Sequence, residues 1–203
     1  YEVKPSRVRY YRGPVSTRDM TKAGVVVRTV RAEEWPAVKE LRLFALQDPV
    51  AHLAFLETYE EALARPDEFW QGRAAGAADG APGARQFVAE APGGDLVGTL
   101  TVLVEEAGTV DWAGFPVERR QGHVVGVYVR PQWRGGGVSR ALFDAGLGWA
   151  WDSGVERVRL IVHEENGVAQ ALYRRVGFVP SGVTVPLGHG DDEAELEFVL
   201  ERS

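Results

Sequence analysis

Apolar positions along the chain switch between two periods, and the switches mark out alternating strands and helices. Residues 24–30 form a β-branched run that predicts a strand. Over 32–46, Trp35, Val38, Leu41 and Ala45 share one helical face. Pro36 falls in the first turn of that helix, where its missing N–H does no harm, and Asp48-Pro49 ends it. Leu53, Leu56, Tyr59 and Leu63 repeat at helical spacing and predict a second helix that runs to Pro66, with a further short one over 66–75. Small residues at 76–84 read as a loop. Strands at 86–91 and 96–105 flank the turn Pro92-Gly93-Gly94-Asp95, a strong hairpin signal. After a loop over 107–121, a strand at 123–130 stops at Pro131. A helix at 138–153, a strand at 156–163, a helix at 166–176 and strands at 179–185 and 194–200 complete the chain. In the last strand Ala194, Leu196, Phe198 and Leu200 alternate with Glu195, Glu197 and Val199, as in a half-buried strand. Hairpins plus one crossover predict a mixed α/β sheet.

Composition narrows the function classes. At 203 residues the chain suits one domain with a real core. It has no cysteine, which removes disulfides, thiolate metal sites and cysteine nucleophiles. No apolar run approaches the roughly 20 residues that span a bilayer, no secretory leader is evident, and a cytoplasmic location is expected. The net charge of −6 is uneven: residues 1–22 hold six basic and two acidic side chains, +4, so the remainder carries −10. We therefore divide the chain into a basic extension, 1–23, and one domain, 24–203. An acidic body argues against a nucleic-acid partner, which selects for a basic face. His52, His163 and His189 do not fall at metal-ligand spacing, and no metal is expected.

The chemistry concentrates where the strand at 123–130 meets the helix at 138. There Val127-Tyr128-Val129-Arg130-Pro131-Gln132-Trp133 leads into Arg134-Gly135-Gly136-Gly137-Val138-Ser139-Arg140. Glycines let the backbone approach a ligand, and the first amides of a helix have no internal partners and carry its positive dipole end. The combination is a seat for a diphosphate. A nucleotide-binding P-loop is excluded because no Lys follows the glycines, and a dinucleotide fingerprint lacks its third glycine, where Arg140 stands.

The stretch Arg134-x-x-Gly137-x-Ser139 resembles motif A of the GNAT N-acetyltransferases, with Ser139 in place of the usual Gly or Ala. Asn166-x-x-Ala169-x-x-Leu172-Tyr173, followed by Gly177-Phe178, resembles motif B of the same superfamily. The resemblance implies a mostly antiparallel mixed sheet with a splayed central strand pair and helices on both faces. It implies acetyl-CoA as cosubstrate. The diphosphate would be held by amides of Arg134, Gly135, Gly136, Gly137, Val138 and Ser139, with charge from the side chains of Arg134 and Arg140. The edge of Val127, Tyr128 and Val129 would face the acetyl group and pantetheine, the Val127 amide at the carbonyl. Asn166 and Ala169 would line the pantetheine side, with Asn166 tying its helix to the splayed strand, and Tyr173 would meet the leaving sulfur.

The position that supplies a glutamate base in several members of the superfamily holds His123. Glu118, Glu90, Glu57 and a water chain stand as alternatives to it. The implied reaction is acetyl transfer to a primary amine, on a small molecule in preference to a protein. A protein N-terminal or lysine acetyltransferase and a silent acyl-CoA sensor stand as alternatives. A homodimer is left open. Glu57, Glu60, Glu61, Asp111, Asp191 and Asp192 are candidates to steer a cationic acceptor, and Trp70, Trp112 and Phe115 to wall its pocket.

Overall fold

The computed structural model describes residues 19–20, 24–112, 114–185 and 195–202. Among them, eight strands form one sheet: β1 (Asp19–Met20), β2 (Val26–Thr29), β3 (Ala84–Glu90), β4 (Leu96–Glu105), β5 (Gln121–Val129), β6 (Arg157–His163), β7 (Val179–Val185) and β8 (Glu195–Glu201). The spatial order is β1-β2-β3-β4-β5-β6-β8-β7. Every neighbouring pair is antiparallel except β5 and β6, which run parallel as the single crossover requires. The helices are α1 (Trp35–Ala45), α2 (Tyr59–Ala64), α3 (Asp67–Ala75), α4 (Val138–Asp152) and α5 (Gly167–Val176). The basic extension lies outside the described residues apart from Asp19 and Met20, as do His189, Asp191 and Asp192.

The two helix groups cover opposite faces. On one, α4 buries Val138, Ala141, Leu142, Phe143 and Leu147 against Leu100, Val102, Val124 and Leu160. α5 joins that core through Tyr173, whose ring meets Phe143, Phe178 and Phe198 edge-on at 5.8, 6.5 and 6.4 Å. Such aromatic pairs contribute about 0.5–1.5 kcal/mol each beyond their buried area. On the other face α1 packs Val38, Leu41 and Ala45 on Val30, Val88, Leu96 and Tyr128.

The helix predicted through Leu53, Leu56, Tyr59 and Leu63 is broken. A 3-10 turn at Ala51–Leu53 is followed by irregular chain, and α2 starts only at Tyr59. Thr58 and Glu61 form a reciprocal cap there, which fixes the start of the helix and leaves Leu56 and Leu63 exposed. In β8 the polar phase is not solvated throughout: Glu197 is buried and bonded to Arg157 at 2.7 Å.

Candidate active site

β5 is the element around which the site is built. Its register with β6 holds for Gly122–Val158, His123–Arg159 and Val124–Leu160 and then ends, so the two strands part beyond Val124. On the other side β5 stays with β4, but with a bulge: Thr101 faces Val125, whereas Thr99 faces Tyr128. Gly126 takes φ +63° at this bulge, a conformation that L side chains rarely adopt. Past it, the Arg130 amide donates to the Val97 carbonyl at 2.8 Å. That bond makes Val129–Gly98 a non-hydrogen-bonded pair, so the amide and carbonyl of Val129 point away from β4 into the fork.

The fork opens into a cavity of about 1510 Å³. One end is the glycine turn. Gly137 sits at φ +87° and α4 begins after it; the first helical bond runs from the Ala141 amide to the Gly137 carbonyl. Among the described residues, the amides from Gly135 to Arg140 donate to no backbone carbonyl. A Cβ built on Gly135 or Gly137 would meet nothing within 4 Å. A diphosphate fits such a vacant, donor-rich cradle.

Of the predicted site residues, Val127, Tyr128, Val129, Arg134, Gly135, Gly137, Ser139, Arg140, Asn166, Ala169, Tyr173 and His123 all line this one cavity. Gly136 and Val138 do not; the Val138 side chain is buried in the core.

Three side chains have partners that the sequence did not suggest. The Arg134 guanidinium donates to the Val129 carbonyl at 2.9 Å and to Asp48 at 2.5 Å, bracing the end of β5 against the α1–α2 loop. Arg140 bonds Asp144 one turn along α4, on the exposed side of that helix. Asn166 caps α5 by accepting from the Ala169 amide at 3.1 Å, and its Nδ2 donates to the Leu53 carbonyl at 3.2 Å. The bonds of Asn166 in this structure thus go to its own helix and to the loop after α1. Its oxygen is used by the cap, and the carbonyl within reach of its nitrogen belongs to the loop after α1.

His123 stands at the root of the fork, 1% exposed. Its Nδ1 lies 2.7 Å from Glu105 Oε1. Burial alone would raise the Glu105 pKa, but hydrogen bonds from His123 and Arg159 outweigh it and bring the value down to about 2. An ionised carboxylate only accepts, so Nδ1 carries the hydrogen and Nε2 is the imidazole's remaining acceptor. Arg159 holds Glu105 with two bonds of 3.0 Å and reaches Asp111 at 2.6 Å. Asp111 anchors the loop that carries Trp112, whose ring lies 6.3 Å from that of His123.

Among the other base candidates, Glu90 is paired with Arg28 at 2.6 Å outside the cavity. Glu57 is on the wall but is held by Arg42 at 3.3 Å and Arg65 at 3.1 Å. Glu118 does not reach the cavity wall. Of the three aromatics named for the pocket, Trp112 lines it, whereas Trp70 is fully buried in the core and Phe115 lies elsewhere.

Because its folded pKa is depressed, ionised Glu105 stabilises the fold above about pH 4, and that contribution disappears as the pH falls towards 2. Glu105→Gln leaves Arg159 short of a charge partner and is expected to cost about 3–5 kcal/mol at pH 7. Urea unfolding at pH 7 and pH 3 should show the gap between the variant and the parent narrowing with acid. An unchanging gap would assign the acid sensitivity to other carboxylates.

The Acetyltransferase (GNAT) family model matches residues 35–178, from α1 to the residue that closes the Tyr173 cluster. The chain belongs to the GNAT acetyltransferase family. Among solved structures, the yncA protein of Salmonella typhimurium, determined with its cofactor acetyl-CoA, superposes with a TM-score of 0.67. It covers 88% of this chain and 94% of its own at 17% identity, a likeness of fold. Mycothiol acetyltransferase of Saccharomonospora viridis is 39% identical over 92 residues, 45% of this chain and 29% of that protein. Aminoglycoside N(6′)-acetyltransferase type 1 of Stenotrophomonas maltophilia is 35% identical over 92 residues, 45% of this chain and 58% of its own length. The chain thus spans less than two thirds of either relative. Among its described residues no helix is long and apolar enough to cross a membrane.

Proposed function

We propose that this GNAT protein transfers the acetyl group of acetyl-CoA to the primary amine of a small molecule by direct attack. The observation that carries the reading is a single cavity running from the free amides at the start of α4, along the unpaired edge of β5, to His123. Acetyl-CoA would enter with its diphosphate on the amides of Gly135 to Ser139. Its pantetheine would extend β5 in place of β6, using the Val129 amide because Arg134 already occupies the carbonyl. The relatives named for mycothiol and for aminoglycosides support a small acceptor.

In the step itself, the amine nitrogen bonds to the thioester carbonyl carbon and the C–S bond breaks. The proton lost by the amine passes to His123 Nε2, directly or through one water. The Val127 amide, on the cavity wall, would donate to the developing oxyanion; an oxyanion donor of this kind contributes about 3–4 kcal/mol.

Tyr173 serves the leaving sulfur as a hydrogen-bond donor. Burial, with a smaller contribution from Glu195, pushes its pKa up to about 12. Handing its proton to a thiolate near pKa 8.5 would be uphill by roughly 5 kcal/mol, so the thiolate takes its proton from water after departure. A hydrogen bond to a charged group contributes about 1.5–3 kcal/mol. Tyr173→Phe is accordingly expected to lower kcat roughly ten- to a hundredfold with CoA affinity kept, as read by thiol release and calorimetry. An unchanged kcat would return Tyr173 to a packing role.

The reading as a whole is tested by thiol release from acetyl-CoA against a panel of primary amines. The panel holds polyamines, aminoglycosides, and α-, β- and γ-amino acids together with their carboxamides. Release with formation of an N-acetyl product supports it. Binding of acetyl-CoA without turnover of any amine would favour the silent sensor.

A further inference from the structure

The acceptor end of the cavity carries a charge pattern that an amine alone does not explain. Arg42 of α1 and Arg73 of α3 both reach its wall, and both also line a recess of about 20 Å³ beneath α1, against the Gly126 bulge. Arg42 lies over the Phe55 ring, its guanidinium carbon 4.1 Å from the centroid, and shares Glu57 with Arg65. Arg73 makes no hydrogen bond or ion pair with any described residue; its guanidinium lies 6.0 Å from the Trp70 ring centroid and feels the charge of Glu57. The Glu57 carboxylate therefore faces three guanidinium groups, those of Arg42, Arg65 and Arg73. Burial and then repulsion from Arg73 lower the Arg42 pKa to about 10, and burial lowers that of Arg73 as well. Charges taken out of water are retained where a counter-charge meets them. Glu57 acts on both Arg42 and Arg73, but it is shared with Arg65 as well, so positive charge stays in excess here. The recess holds at most a single water, so the remaining counter-charge belongs in the main cavity.

We propose that Arg42 and Arg73 form an anion subsite that binds a carboxylate of the acceptor, so that the substrate is an amino acid or another amine bearing an acidic group. This rests on the acetyltransferase reading above and refines it. The guanidinium fork matches a carboxylate in two-pronged fashion, and the wall beside it is aromatic. The subsite adjoins the bulge of β5 that would present the acetyl carbonyl, and His123 lies three residues before Gly126 on the same strand. An acceptor held by its carboxylate at the arginines would thus carry its amine towards the fork.

The amine panel decides the matter through its matched acid and carboxamide pairs. For at least one pair among the α-, β- and γ-amino acids, kcat/KM is expected to be ten times or more higher for the acid. Arg73→Gln should raise KM for that acid tenfold or more, leave its carboxamide and the KM for acetyl-CoA unchanged, and so erase the preference. Arg73→Lys, which keeps the charge and loses the fork, should fall between the two. Melting curves with and without CoA confirm that each variant is folded. Equal turnover of acid and carboxamide in every pair overturns the subsite, and so does a preference that survives Arg73→Gln. A loss that falls on acetyl-CoA instead of the acid also overturns it. Silence across the whole panel removes the acetyltransferase reading itself, whereas turnover without acid preference removes only this refinement.

Discussion

Gly137→Val is expected to abolish measurable CoA binding while leaving a folded protein. The residue sits at φ +87°, and a side chain there costs about 1–2 kcal/mol of backbone strain. Apart from its chain neighbours, no protein atom lies within 4 Å of the Cβ position, so the side chain points into open space in the unliganded chain. The methyl groups would occupy the space that the free amides of α4 surround. Each amide bond to a phosphate oxygen is charge-assisted and contributes about 1.5–3 kcal/mol, so losing two lowers affinity by roughly 10²–10⁴. The strain alone should lower Tm by only a few degrees for a chain of this size. Gly148→Ala, further along the same helix and also with open space around it, is expected to bind CoA as the parent does. Calorimetry with CoA on the two variants separates the outcomes. Retained affinity in Gly137→Val would move the diphosphate away from this turn.

The sheet and the glycine turn could be read in the sequence because both depend on local pattern. β4 and β7 match their predicted limits, β2, β3, β5, β6 and β8 shift by one or two residues at most ends, and β1 has no predicted counterpart. The bounds of the fork could not be read residue by residue. It is set by where backbone pairing between β5 and β6 stops, and backbone bonds leave no mark on side-chain periodicity. A signal did exist for the bulge: an isolated glycine inside a strand pattern, Gly126, is where such irregularities occur.

The ionic cluster could not be read for a different reason. Glu105, Gln121, Arg159 and Glu197 stand one each on β4, β5, β6 and β8, far apart along the chain. The loop anchored by Asp111 covers them, and the polar side chains bond to one another instead of to water. The crowding of Arg42 and Arg73 around Glu57 depends on how α1 and α3 pack, which spacing does not reveal. The same gap hid the bond from Asn166 to Leu53, which spans 113 residues of chain.

His123→Asn is expected to lower kcat by about 10²–10³, with the KM for acetyl-CoA unchanged, because a positioned general base contributes on that scale. Asparagine is chosen because its amide nitrogen can stand where Nδ1 stands and still donate to Glu105, while nothing replaces Nε2. The network of Glu105 with Arg159 then survives, and a fall in kcat reports the missing acceptor and not a collapsed face. The nature of the amine sets how much the base must do. At pH 7, an α-amine near pKa 8 needs only about 1 kcal/mol to shed its proton, whereas a lysine-like amine needs roughly 4–5 kcal/mol. Raising the pH supplies free amine from solution, so the deficit of the variant should shrink as the pH approaches the pKa of the acceptor, and earlier for the α-amine. A deficit that is constant with pH would place the role of His123 after nitrogen attack. A variant as fast as the parent would mean that water in the cavity takes the proton without a side-chain base, and that the bond between His123 and Glu105 serves only to hold β4 and β5 together at the root of the fork.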